Sequence, residues 1–181
     1  MKIASILLLA WMTLFQAGQD TYVSKNAKIT LFSTAPVEDI EATSTHGTSV
    51  FNAGTGELAF SVQIRSFVFP KSLMQDHFNS EYMESDKFPA ATFKGKINEK
   101  VDVTKDGTTK VTAVGDLTVH GVTKPRTIPG TVTVKGGVVT MTAEFMVKCA
   151  DHNITIPTMV FHNIAESIKM TVAAGYEPYK K

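Results

Sequence analysis

Apolar and polar residues alternate in short runs along most of this chain, and this period of two limits its possible folds most strongly. One run covers residues 58–65, where Leu58, Phe60 and Val62 alternate with small or polar residues. Comparable runs lie at residues 29–31, 111–120, 128–135, 139–147 and 168–174. Because successive side chains of a strand point to opposite faces, these runs predict half-buried β-strands.

Glycine-containing turn signals separate several of the runs. Gly54-Thr-Gly56 precedes residues 58–65, Asp106-Gly107 lies between Val103 and Lys110, and Gly136-Gly137 separates two later runs. Such pairs supply the positive φ angles that tight hairpins require. Strands joined by short turns predict an antiparallel sheet that closes into a barrel or a sandwich.

One internal stretch has a longer period. Between Pro70 and Asp86 the residues at spacings of three and four are Leu73, Met74, His77, Phe78 and Tyr82. This spacing predicts one short amphipathic helix, which Pro70 can begin in its first turn. A helix inserted between strands would lid or plug one end of a barrel. Around Pro157, residues 155–160 are predicted to form an edge strand or a loop, because proline cannot donate to a ladder.

The N-terminal residues have the pattern of an export signal. Lys2 precedes a short apolar core, and Ala17 supplies a small residue at a plausible cleavage point. The pattern predicts a signal peptide at residues 1–17, a single domain at 18–181, and a periplasmic or secreted location. The apolar core is shorter than the ~20 residues of a spanning helix, so the mature chain is predicted not to span a membrane.

Composition narrows the classes of partner. The chain has 18 Lys and Arg residues against 17 Asp and Glu residues, without a basic run, which argues against a nucleic-acid ligand. Cys149 is the single cysteine, so no internal disulfide can form. We expect Cys149 to be a small core or near-surface residue rather than a nucleophile.

Five segments, taken together in their order along the chain, resemble the YceI-like family of secreted lipid-binding barrels. The resemblance extends over about Tyr22 to Tyr176, and its most specific part is the Gly-x-Leu-Thr-x-x-Gly-Val-Thr-x-Pro pattern of the last segment. The five segments are Ile29–Ser33, Phe60–Ser66, Met74–Phe78, Lys87–Phe93 and Gly115–Pro125. The chain departs from the family at Ser24–Lys28, which lacks the usual Asp-x-x-His-Ser, and at Cys149–Ile164.

The resemblance implies an antiparallel, lipocalin-like β-barrel with one short helix between strands. It also implies a long apolar ligand, a polyisoprenoid or fatty-acyl lipid, held inside without covalent chemistry. The candidate cavity residues are Phe60, Val62, Ile64, Phe78, Tyr82, Leu117, Val119, Met141 and Phe145. The same residues could form a packed core instead. Arg65, Lys94 and Lys96 could meet an anionic head group or simply face outward.

No residue pattern predicts catalysis, a metal or another cofactor. The five histidines lack a His-x-x-x-His spacing, and there is no Gly-x-Ser-x-Gly nucleophile elbow. His77 and His120 lie in family-like segments, whereas His46, His152 and His162 are predicted in loops. The predicted function is binding or transport of an amphiphilic lipid. The alternatives are a lipid-modifying or metal-dependent enzyme using His77 and His120, or a structural protein with a filled barrel.

Overall fold

The computed structural model describes residues 20–34, 39–156 and 165–179. Eight antiparallel strands follow one another around a closed barrel, and the last strand pairs with the first. The strands are β1 Thr21–Ser33, β2 Ile40–Asn52, β3 Glu57–Gln63, β4 Ala90–Ile97, β5 Gly107–Val119, β6 Val122–Lys135, β7 Val138–Lys148 and β8 Ser167–Pro178. This architecture confirms the predicted all-β, lipocalin-like barrel with one short helix.

The barrel has two unlike ends. Strands β1, β3, β5 and β7 finish, and β2, β4, β6 and β8 begin, at one end, which we call the lid end because the helix lies there. The connections β2–β3, β4–β5 and β6–β7 lie at the opposite end, which we call the closed end. β1 starts and β8 finishes at the closed end, where Tyr22 pairs with Pro178. No helix among the described residues is long and apolar enough to cross a membrane.

The helix covers the predicted apolar stripe but is less regular than the sequence predicted. α1 covers Ser72–His77 and continues as one π-helical turn, Phe78–Tyr82. It begins two residues after Pro70 rather than at it. The stripe is also not uniform, because the Leu73 side chain is 63% exposed. Phe78 and Tyr82, at the two ends of the π turn, both line the barrel interior.

β2 is the strand that the sequence analysis missed. Apart from Ile40 and Phe51 near its two ends, its inward-facing residues are small or polar, so hydrophobicity does not alternate along it; they include Ala42, Ser44, Gly47 and Ser49. A Cβ at Gly47 would stand 2.5 Å from the Cδ1 atom of Ile29 on β1. The large residues of β1 therefore use the space that small residues of β2 leave. His46 lies in this strand and is exposed, so its predicted position in a loop was wrong.

The structure confirms one predicted turn and differs from the prediction at two others. Gly136 and Gly137 form the predicted β6–β7 hairpin with φ angles of 57° and 79°. The turn between β4 and β5 lies at residues 103–105, so Asp106-Gly107 enters β5 instead of forming the turn. β5 and β6 are joined by a two-residue turn at His120 and Gly121, both with positive φ, which the runs at 111–120 and 128–135 did not predict.

β6 carries two prolines without breaking the barrel. Its pairing with β7 starts at Gly130, so Pro125 and Pro129 lie where β6 has a strand neighbour only on the β5 side. A missing N–H costs little there. A one-turn 3-10 helix, Cys149–His152, contacts β6 along the unpaired stretch. Predicted features at residues 1–17, 157–160 and His162 lie outside the described residues.

Candidate ligand cavity

A single connected cavity of about 530 Å³ occupies the barrel interior. Inward-facing side chains from all eight strands line it, and almost all of them are apolar. All nine residues predicted for the cavity contribute to its wall: Phe60, Val62, Ile64, Phe78, Tyr82, Leu117, Val119, Met141 and Phe145. The period-two alternation therefore identified inward-facing positions, and the barrel is hollow rather than filled.

The sequence analysis missed other parts of the wall. Phe67 and Phe69 are buried and line the cavity, while Val68 between them is 66% exposed. This alternation of three residues was too short to stand out beside the predicted helix. Ile168, Met170 and Val172 of β8 also line the cavity. Their alternation was visible in the sequence but gave no reason to rank them above other strand residues.

Packed side chains fill the closed end. Phe51 and Tyr176 meet edge to face, with ring centroids 6.3 Å apart. The Ser49 hydroxyl donates to the Ala59 carbonyl at 2.8 Å, and it lies 2.7 Å from the Tyr176 hydroxyl. Because the Ser49 proton is used on Ala59, Tyr176 must be the donor to Ser49. Burial raises the pKa of Tyr176 to about 12, so this floor of the cavity stays uncharged.

An aromatic cluster covers the lid end. Phe78 of the π turn lies 4.9 Å from Phe69 and 5.8 Å from Phe67, measured between ring centroids. Met74 and His77 of α1 also line the cavity. The helix thus presents one side to the cavity, and the connection that holds it supplies two further rings. We call residues 67–88 the lid.

The lid also contributes polar side chains to the cavity wall. Tyr82 lines the cavity, and burial together with the negative charge of Glu81 raises its pKa. The His77 Nε2 atom lies 3.9 Å from a carboxylate oxygen of Glu81, and the His77 side chain is 44% exposed. His77 both lines the cavity and reaches solvent, so the cavity approaches the surface at this helix.

Cys149 lines the cavity, whereas the three cationic side chains considered for a head group lie outside it. Cys149 is buried, lines the cavity, and has a pKa raised by burial, which disfavours a reactive thiolate. Lys94 and Lys96 are exposed on the outside of β4. Arg65 forms an exposed ion pair with Asp86. None of the three cations lines the cavity, so the structure favours their outward-facing interpretation.

The remaining described histidines lie outside the cavity. His120 and His152 are buried near the lid end, in contact with each other through the Nδ1 atom of His120 and the carbonyl oxygen of His152. Asp151 is held by Arg126 at 2.9 Å, and this hydrogen bond lowers its pKa. Within residues 20–34, 39–156 and 165–179, no group of three or more His, Cys, Asp or Glu side chains could hold a metal ion.

Two of the family-like segments, Lys87–Phe93 and Gly115–Pro125, meet where β4 pairs with β5. Gly95 and Gly115 are direct partners across β4 and β5, and a Cβ on either would collide with the other strand's backbone. At the lid end, a Cβ on Gly121 would stand 2.5 Å from the Phe88 ring. These glycines therefore permit close approach of strands and turn. The glycines of these segments thus serve the packing of the barrel.

Comparison with known proteins assigns the family. The YceI-like domain matches residues 21–175, which is most of the chain. The chain belongs to the YceI-like family. No curated protein sequence matches it significantly. The hollow interior described above is therefore that of a YceI-like barrel, and its departures from the family pattern at Ser24–Lys28 did not alter the fold.

Solved structures agree on the fold of this YceI-like chain. A polyisoprenoid binding domain from Saccharophagus degradans, implicated in plant cell wall breakdown, has a TM-score of 0.71 at 13% identity, covering 89% of this chain and 99% of that one. BcnA of Burkholderia cenocepacia has a TM-score of 0.70 at 17% identity, with coverage of 82% and 95%. The YceI protein of Campylobacter jejuni has a TM-score of 0.63 at 17% identity, with coverage of 82% and 90%.

Proposed function

We propose that this protein binds or transports an amphiphilic lipid, of the polyisoprenoid or fatty-acyl type, inside its barrel. The observation that carries the proposal is the connected, apolar cavity of about 530 Å³. Ligand pockets commonly measure ~300–1,000 Å³. The polyisoprenoid binding domain of Saccharophagus degradans shares the fold, which supports a ligand of the same class.

Burial of an alkyl or prenyl chain supplies the binding energy in this proposal. Each methylene removed from water contributes about 0.8 kcal/mol, from which the cost of ordering the chain is subtracted. The polar group of the lipid would stay at the lid end, near His77 and Tyr82. The candidate binding residues remain the nine named from the sequence.

The proposal includes export of the protein. Its support is the charged start, short apolar core and small residue at Ala17. Sequencing the N-terminus of the protein purified from its own host tests this. A start at Gly18 is expected, and a start at Met1 would contradict a cleaved signal peptide at residues 1–17.

A displacement assay tests the binding function. N-phenylnaphthylamine, an uncharged apolar dye, should fluoresce in the cavity and be displaced by geranylgeraniol or palmitic acid. Native mass spectrometry of protein from its own host should show a co-purified lipid. Ala143 lines the cavity, so Ala143→Phe should fill it and abolish dye binding while the barrel stays folded.

A matched variant controls for damage to the strand. Met146 lies on the same strand and is 53% exposed on the outer side, so Met146→Phe should bind the dye as the natural protein does. If Ala143→Phe and Met146→Phe bind the dye equally well, the cavity is not the binding site. If the folded natural protein binds neither dye nor lipid, the proposed function is wrong.

A further inference from the structure

His120 makes two hydrogen bonds that only its doubly protonated form can make. Its Nε2 atom lies 2.9 Å from a carboxylate oxygen of Glu84, and its Nδ1 atom lies 3.1 Å from the carbonyl oxygen of His152. A carbonyl oxygen and an ionised carboxylate can only accept hydrogen bonds. Both ring nitrogens must therefore donate, which requires an imidazolium. The ring is 8% exposed, so this charge is enclosed.

The three partners come from three different connections at the lid end. Glu84 belongs to the lid, His120 to the turn between β5 and β6, and His152 to the 3-10 turn after β7. Glu84 and His120 both have positive φ angles, 41° and 50°. A non-glycine residue keeps such a conformation when surrounding contacts require it. The His120 ring thus fastens the lid to two parts of the barrel rim.

The neighbouring histidine cannot substitute for it. The Nδ1 atom of His152 lies 2.9 Å from the Val122 carbonyl oxygen and must donate to it, so in the neutral ring Nε2 carries no proton. That Nε2 atom is buried without a partner, and His152 is fully buried. Protonating His152 would bury an uncompensated charge. The structure therefore favours a neutral His152 beside a charged His120.

We propose that His120 is a proton-controlled latch that holds the lid over the cavity while its ring is doubly protonated. This proposal rests on the proposed lipid-binding function. When the ring loses one proton, one nitrogen presents a lone pair to an oxygen acceptor, and the charge-assisted bond to Glu84 weakens. The lid then opens more often, so bound lipid leaves faster as pH rises.

Other charged groups near the latch act in the same direction or are already paired. Lys87 lies 3.8 Å from the Glu84 carboxylate and 4.9 Å from the Phe88 ring centroid. It competes for Glu84 once His120 is neutral, which strengthens the change. Asp151, next to His152, is engaged by Arg126 of β6 at 2.9 Å. Its charge is compensated there and does not replace Glu84.

Stopped-flow release of N-phenylnaphthylamine between about pH 5 and about pH 8 tests the latch, because histidine changes charge in this range. The natural protein should release the dye about tenfold faster at the upper end than at the lower end, the size expected for one charge-assisted hydrogen bond. A release rate that does not change with pH would overturn the proposal.

Glu84→Gln is the decisive variant. An amide oxygen can accept from the imidazolium, and an amide N–H can donate to the neutral ring, so the contact persists in both states. Release from Glu84→Gln should therefore be slow at every pH. His120→Asn suits the positive φ but cannot bridge both partners, so its release should be fast at every pH. Retention of the full pH dependence in either variant would contradict the latch.

Two histidine variants serve as controls. His46 is exposed on β2, and His46→Asn should reproduce the natural release rates at each pH. His77→Asn will alter the rates, because His77 lines the cavity, but the ratio of rates between the two ends of the pH range should be kept. Loss of that ratio in His77→Asn would assign the pH dependence to His77 and overturn the proposal.

A measurement without ligand separates the latch from the lipid-binding function. The amides of Thr43 on β2 and Val68 on the lid donate to each other's carbonyl groups, so their exchange with solvent reports separation of the lid from the barrel. Their protection, corrected for intrinsic exchange rates, should fall as pH rises in the natural protein and not in Glu84→Gln. This result together with absent dye binding would reject the lipid function alone. Dye binding with pH-independent protection would reject the latch alone.

Discussion

Phe88 meets the imidazole of His120 edge to face, with ring centroids 4.5 Å apart and ring planes at 64°. The contact links the last residue of the lid to the turn between β5 and β6. Gly121 completes it, because its missing side chain leaves room for the Phe88 ring. Phe88 belongs to the family-like segment Lys87–Phe93, and His120 and Gly121 belong to Gly115–Pro125. These two segments, which are separate in the sequence, therefore form one structural unit at the rim of the barrel.

Gly121→Ala should destabilise the protein more than Gly137→Ala does. Both glycines have positive φ, 70° and 79°, but only a Cβ at Gly121 collides, whereas nothing lies within 4 Å of one at Gly137. Each substitution carries a backbone cost of about 1 kcal/mol, and the collision should add at least about 1 kcal/mol at Gly121. Urea denaturation measures both. Equal losses would show that the Phe88 ring moves aside freely.

Phe78→Ala should accelerate ligand release while lowering the free energy of unfolding less than truncation of a rigid-core Phe does. Phe78 packs on Phe67 and Phe69 over the cavity. Because it belongs to the lid, its truncation should lower the free energy of unfolding by less than the ~3–5 kcal/mol lost when a Phe in a rigid core is truncated. Thermal unfolding and dye release on the same variant measure the two effects. Leu73→Ala removes an exposed side chain of the same helix and is the control. A large stability loss with unchanged release would make the helix a structural plug.

The free energy of unfolding should decrease as pH rises from the ordinary pKa of tyrosine to the raised pKa of Tyr176. The pKa of Tyr176 is raised from 10.0 to about 12 in the folded protein. The unfolded chain therefore loses this proton first, and unfolding becomes more favourable as pH rises through that interval. Denaturation at several alkaline pH values measures the slope, which Tyr176→Phe should largely remove. An unchanged slope in that variant would assign it to other groups.

Tyr176→Phe also tests the floor of the cavity near neutral pH. The variant loses the hydrogen bond to Ser49, while Ser49 keeps its bond to the Ala59 carbonyl. We expect a loss of about 1 kcal/mol in the free energy of unfolding. Urea denaturation with and without a saturating lipid measures it. A gain in stability would mean that the hydroxyl is poorly satisfied in the folded protein.

Bound lipid should protect Cys149 from thiol reagents. Its side chain is buried and lines the cavity, so an apolar reagent that enters the interior can reach it. Adding palmitic acid or geranylgeraniol should slow labelling by an apolar maleimide, measured by mass spectrometry at constant pH. Cys149→Ser is the blank for nonspecific labelling. Equal labelling rates with and without lipid would place the lipid elsewhere.

The inward face of most strands was predictable because large apolar residues mark it. Phe60 and Val62 on β3, and Leu117 and Val119 on β5, have alternating neighbours, and all four line the cavity. β2 escaped prediction for the opposite reason, since Ser44 and other small or polar residues face inward there. Pairing with β1 compensates for the weak local signal, and such compensation is invisible in a single segment.

The latch residues could not be read from the sequence. Glu84 and His120 are 36 positions apart, and His120 and His152 are 32 apart. No spacing rule connects residues that meet only because three connections converge at one end of a barrel. The π turn was similarly hidden, because Phe78 and Tyr82 fit an α-helical stripe as well as a π-helical one.

The pairing of β1 with β8 gives experimenters a way to orient the molecule. Thr21 accepts a backbone hydrogen bond from Tyr179 at 2.8 Å, so the beginning of the first strand and the end of the last lie side by side. Both lie at the end of the barrel opposite the lid. A tether placed before Thr21 or after Tyr179 would therefore hold the barrel on a sensor chip with its lid facing the solution.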